Sequence, residues 1–158
     1  MKKLTALLLA VLLVFGLAAC AGSPAESNAK PGDTMTLQDI LTSITKDVAD
    51  LPDTETTELT KDNFEYFAFT AMPDGVEAIA ADALINAVAH SVVLMRAQDA
   101  ETAKKLAADV EANLNPAKWV CVEAEKTAVL VHNCTVLLVM SWSDVTDALT
   151  ANFNALWS

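Results

Sequence analysis

From Val76 to Leu156, short apolar runs of strand character alternate with apolar stripes at helical spacing, and that order restricts the folds open to the chain. Residues 76–81 read as a strand, and residues 83–87 as a short helical link. Residues 90–97 contain Ser91-Val92-Val93-Leu94-Met95, a near-continuous apolar run of the kind found in central strands. Asp99 is a good N-cap for a helix over residues 100–114, with Ala103, Leu106, Ala107, Val110 and Leu114 on its buried stripe. Asn115-Pro116 stops it. Residues 119–122, 126–132 and 135–140 are all strand-like. His132-Asn133-Cys134 joins the last two, and Asn tolerates the left-handed backbone such a turn needs. Residues 143–156 form a closing helix that buries Val145, Leu149, Phe153 and Leu156, with Ser141 expected as its cap. Hairpin-paired strands with helices between them predict an α+β domain: a single, largely antiparallel sheet with helices packed on one face.

The elements before Val76 fit the same layered domain. Leu37, Ile40, Leu41, Ile44 and Val48 share one face of a helix over residues 36–49, and Thr36 with Asp39 resembles a capping box. Residues 55–60 read as a short edge strand. Residues 62–69 carry Phe64, Tyr66, Phe67 and Phe69, in a helical turn or an extended segment that packs rings on the core. Met72-Pro73-Asp74-Gly75 is a turn.

The N-terminus decides how much of the chain takes part in that fold. Lys2 and Lys3 precede an apolar run from Leu4 to Leu17, which ends in Leu17-Ala18-Ala19-Cys20. The cationic start, the length of the run and the small residues before Cys20 read as a bacterial lipoprotein signal peptide, residues 1–19. Diacylglycerol transfer to the Cys20 thiol and cleavage would leave Cys20 as a lipidated first residue. An uncleaved membrane span is the alternative, and the run sits near its lower length limit. Residues 20–35 are small and polar, with Pro24, Pro31 and Gly32, and read as the lipidated Cys and a disordered tether. Its fifteen residues after Cys20 reach about 20 Å as a flexible coil and roughly 50 Å fully extended. The domain is expected over residues 36–158. These features predict a lipid-anchored protein on the extracytoplasmic face of the cell membrane, or in the outer membrane if the source has one.

Loss of the signal removes two of the ten basic residues and none of the 21 acidic ones, leaving 8 − 21 = −13. Such a surface does not attract nucleic acid phosphates and is repelled by anionic lipid. The membrane contact is therefore expected through the lipid on Cys20. Cys121 and Cys134 remain as an even pair in an oxidising compartment. Either they form a disulfide, or they are two reduced thiols in or beside a buried sheet.

Residues 76–140 resemble the bacterial lipoprotein domain catalogued as domain of unknown function 4358. The resemblance is carried by the strand His90-Ser91-Val92-Val93-Leu94-Met95-Arg96, the helix after Asp99, the junction Asn115-Pro116-Ala117-Lys118-Trp119-Val120-Cys121-Val122, and Leu137-Leu138-Val139-Met140-Ser141 in the closing strand pair. The lipobox and tether are similar to that family's layout, and Asn133-Cys134 stands where a Gly is usual in the last hairpin. The resemblance implies an exported lipoprotein, with a family-like core at about residues 76–141. It brings no catalytic residues.

Motifs that would carry chemistry do not assemble in the sequence. His90 and His132 lack metal-ligand spacing with each other or with Cys121 and Cys134. None of the four glycines flanks a serine as a strained nucleophile turn requires, and phosphate cradles fail likewise. A thiol pair of Cys134 with His132 lacks an orienting group. Asp53 to Glu58 lacks the Gly and alternating ligands of a calcium loop and reads as a solvated acidic loop. Trp142 and Trp157, near helix ends, are the aromatics expected to be partly exposed. No cofactor is expected. The reading is a non-enzymatic module that binds an envelope protein or a small ligand. The alternatives are a secreted hydrolase or thiol protein whose site forms only in three dimensions, and an accessory subunit of an envelope transporter.

Overall fold

A computed structural model of the protein describes residues 29–158. The expected signal peptide, residues 1–19, and Cys20 lie outside the described residues. No described helix is long and apolar enough to cross a membrane.

Five strands form one antiparallel sheet: β1 (Thr54–Glu58), β2 (Glu77–Ala83), β3 (Ser91–Arg96), β4 (Lys126–His132) and β5 (Thr135–Ser141). Their spatial order is β1-β2-β3-β5-β4. The apolar run of β3 lies at the centre, as its composition predicts. Asn133 makes the β4–β5 turn in the left-handed region, at φ 49°.

The helices are α1 (Pro31–Thr34), α2 (Leu37–Thr45), α3 (Phe64–Ala68), α4 (Ala100–Asn113) and α5 (Ser143–Ala155). They cover both faces of the sheet, not one. Val93, Met95, Leu138 and Met140 pack with Leu106 and Val110 of α4 and Phe64 of α3. Their neighbours Val92, Leu94, Leu137 and Val139 pack with Ile40 and Ile44 of α2 and Leu149 and Phe153 of α5. Adjacent strand residues point to opposite faces, so strands apolar at every position need a helical layer on each side.

Several ends differ from expectation. Asp99 caps α4 by accepting from the Thr102 amide at 2.7 Å, and Thr36 caps α2 through the Asp39 amide at 3.1 Å, both as expected. The α2 helix stops at Thr45, and Asp47 turns the chain in the left-handed region. Ser141 does not cap α5; its hydroxyl meets His90, and Glu125 accepts from the Ser143 amide instead. Ala83 ends β2, and residues 84–87 and 119–122 are irregular loop, not helix and strand. The acidic stretch is not a loop but edge strand β1, which matches the edge strand expected over residues 55–60 and starts one residue earlier.

The expected tether overlaps the fold. Pro31–Thr34 is helical, and the Gly32 amide donates to Leu156 O at 3.1 Å. Asp33 accepts from Trp157 Nε1 and Asn133 Nδ2, both at 2.7 Å. Trp157 is thereby buried. Arg96 completes the clamp, donating to Met35 O at 2.7 Å and Gly32 O at 3.0 Å. The chain therefore enters the domain at the end of the sheet that carries Arg96, Thr135 and His132.

Candidate functional site

The opposite end of the sheet gathers the polar chemistry of the core. Asp82 and Ser91 face each other across the β2–β3 ladder. Ser91 Oγ donates to Asp82 Oδ1 at 2.5 Å. Lys118, on the loop between α4 and β4, donates to Asp82 Oδ2 and to Ser91 Oγ, each at 3.0 Å. Its side chain is only 3% exposed, against 24% for Asp82. The ammonium also lies 5.0 Å from the Trp119 ring, 5.1 Å from Phe67 and 5.3 Å from Tyr66. Three ring faces and one carboxylate thus replace the water that Lys118 loses. Burial still pulls its pKa below the ordinary lysine range, and Asp82 opposes that pull.

On the other face of the same sheet end, His90 is fully buried, and its Nδ1 lies 2.8 Å from Ser141 Oγ. Its Nε2 has no hydrogen-bond partner among the described residues. Burial lowers its pKa to about 4; the Asp82 charge opposes this and the Lys118 charge adds to it. The imidazole is therefore neutral near pH 7.

Two arrangements here resemble parts of hydrolytic sites, His90 with Ser141 and Lys118 with Ser91. In both, the serine is fully buried, with its hydroxyl turned into the protein. Asp82 holds Lys118 as an ammonium, the form that cannot accept a proton. As the structure stands, neither serine can reach a substrate in solvent.

Around this polar cluster the surface is apolar. The exposed large hydrophobic side chains among the described residues are Tyr66, Leu84, Ile85 and Val120. Tyr66 touches the Lys118 ammonium, Val120 follows two residues after Lys118, and Leu84 and Ile85 follow Asp82 in the β2–β3 loop. Leu84 and Ile85 are 61% and 64% exposed, and Val120 is fully exposed. Exposed Asp53 lies beside them, its carbonyl accepting from the Leu84 amide at 3.0 Å, and exposed Glu123 follows three residues after Val120.

An open groove of about 700 Å³ lies at the chain-entry end between the α1–α2 link and strands β1 and β2. Glu58, Glu77 and Arg96 are its charged walls. Arg96 is already engaged by α1 and by Thr135 Oγ1 at 3.3 Å, so it offers little to a ligand.

The residues singled out in the sequence do not converge. His132 stacks on Trp157 at 5.0 Å and meets Asn154 Oδ1 at 2.7 Å, at the far end of the sheet from His90. Cys121 is a free, exposed thiol, so it forms no disulfide with Cys134, which is buried at the β4–β5 turn. No group of three or more His, Cys, Asp or Glu among the described residues is placed to hold a metal ion. Asp82, Ser91 and Lys118 were not legible as a group, because strand register and a long loop bring them together. No family model, curated protein or solved structure matches this chain.

Proposed function

We propose that the protein is a lipid-anchored, extracytoplasmic binding module that docks another envelope protein through the apolar surface around Lys118 and Asp82. One observation carries the reading. The exposed large hydrophobics gather at the sheet end opposite the one where the chain enters. With Cys20 lipidated on the N-terminal side, that surface lies at the end of the domain away from the anchored chain's entry. Loose apolar side chains need no explanation, but a group of them at one end marks a contact site. The exposed Asp53 beside it, Glu123 three residues after Val120, and the net charge of −13 after signal removal favour a partner whose apolar patch is rimmed by basic residues. The resemblance to domain of unknown function 4358 agrees with the exported, anchored part of this proposal and adds no activity.

The anchor is tested by Cys20→Ala in the full-length chain. The expected outcome is an uncleaved precursor, or protein released from the membrane fraction. A mature mass and membrane fraction equal to wild type would overturn the anchor.

A further inference from the structure

The two edges of the sheet differ, and the β4 edge is open to another strand. The Ala97 amide donates to Cys134 O, so even-numbered residues of β5 bond towards β3 and odd-numbered ones towards β4. The register then turns Lys126, Ala128, Leu130 and His132 towards β5. Thr127, Val129 and Val131 direct their amide and carbonyl groups outwards, where no described backbone group meets them. Helices α4 and α5 pack on the two faces of β4, yet its residues from Thr127 to His132 are only half-buried, while all of β5 is buried. What stays open is the edge itself.

Edge strands are normally blunted by charge, proline, bulges or cover. The other edge, β1, fits that rule: it is short and carries exposed Glu55 and Glu58. The β4 edge does not. It has no proline and no carboxylate in a chain with 21 acidic residues, and its one charge, Lys126, is ion-paired with Asp147 at 2.5 Å.

We propose that β4 pairs with β4 of a second copy of this chain, antiparallel about a two-fold axis at Val129, to make one continuous ten-stranded sheet. The edge is complementary to itself. Val129 faces its own copy, and Thr127 faces Val131, so all the outward amides and carbonyls of the three residues are satisfied. The absence of carboxylates lets two otherwise strongly acidic molecules meet there. An extended segment of a different protein would use the same backbone groups, but the two-fold match and the lack of charge favour the second copy. This inference does not depend on the apolar end near Lys118.

Disulfide trapping tests it in the full-length chain, with Cys121→Ala to remove the exposed thiol. Val129→Cys brings the new thiols together at the axis, where a hydrogen-bonded antiparallel pair has Cα atoms about 5.5 Å apart, suited to a disulfide. The expected result in intact cells is a species of twice the monomer mass, at least tenfold more abundant than from Leu130→Cys. Adding Thr127→Glu and Val131→Glu places carboxylates opposite each other and abolishes that species. Equal trapping from positions 129 and 130 would overturn the proposal, as would a Val129→Cys product with the mass of a different protein. Val129→Pro is an independent check. Its lost N–H points outwards, so the β5 ladder is kept. A circular dichroism spectrum like wild type with loss of the dimer in gel filtration supports the proposal. A dimer retained with that spectrum contradicts it.

Discussion

Lys118 and Asp82 differ in how much water reaches them, and that difference predicts which substitution harms the fold more. Asp82→Asn leaves an almost fully buried ammonium without its counter-charge, whereas Lys118→Met leaves a carboxylate that solvent partly reaches. Losing one partner of a buried pair costs about 3–5 kcal/mol. Urea titration is expected to show Asp82→Asn at the low end of that range and Lys118→Met clearly below it. The reverse order would contradict the account of the ring cage. His90 gives a pH prediction. Its folded pKa of about 4 lies below the ordinary 6.5, so between those values the unfolded chain binds a proton that the folded protein refuses. Stability therefore falls as pH drops through that window, by roughly 2 kcal/mol between pH 7 and 5. His90→Asn keeps a polar partner for Ser141 and removes the titration. Its urea midpoint is expected to change much less with pH, and a wild-type midpoint equal at pH 7 and 5 would refute the assignment.

Among the elements, legibility followed the reach of the interactions that fix them. The caps of α2 and α4 were readable because each involves residues three apart in sequence. The α5 cap was not, because Ser141 is held by His90, 51 residues away, and Glu125 takes its place. The strand expected at residues 119–122 has the right side chains, but Lys118 is drawn to Asp82 and Val120 is left fully exposed. The second helical layer could have been read from β3 and β5, since strands without polar alternation cannot have a wet face. Helix α1 was hidden by its Pro and Gly, which look like linker. Here Gly32 instead admits the Trp157 ring, since a Cβ at this position would overlap that ring. Gly32→Ala is expected to lift α1 and expose Trp157, destabilising the domain by about 1–3 kcal/mol. A red-shifted tryptophan emission with a lower melting temperature would report it, and an unchanged emission maximum would count against the docking.

At the scale of the whole molecule, the α+β class and the antiparallel sheet were legible, while the candidate site was not. Asp82, Ser91 and Lys118 belong to two strands and a loop and share no motif, and exposure of Leu84, Ile85 and Val120 depends on loops that local sequence does not specify. The fold separates the two ends of the sheet, with chain entry and the α1 clamp at one and the apolar surface at the other. That separation underlies the proposed role. The most direct measurement is photo-crosslinking in intact cells, with a benzophenone side chain at Leu84 or Val120 and, as control, at exposed Glu111 on α4. The account predicts a discrete product with one other envelope protein from positions 84 and 120, and none from position 111. No discrete product from positions 84 and 120, or the same product from position 111, would contradict it.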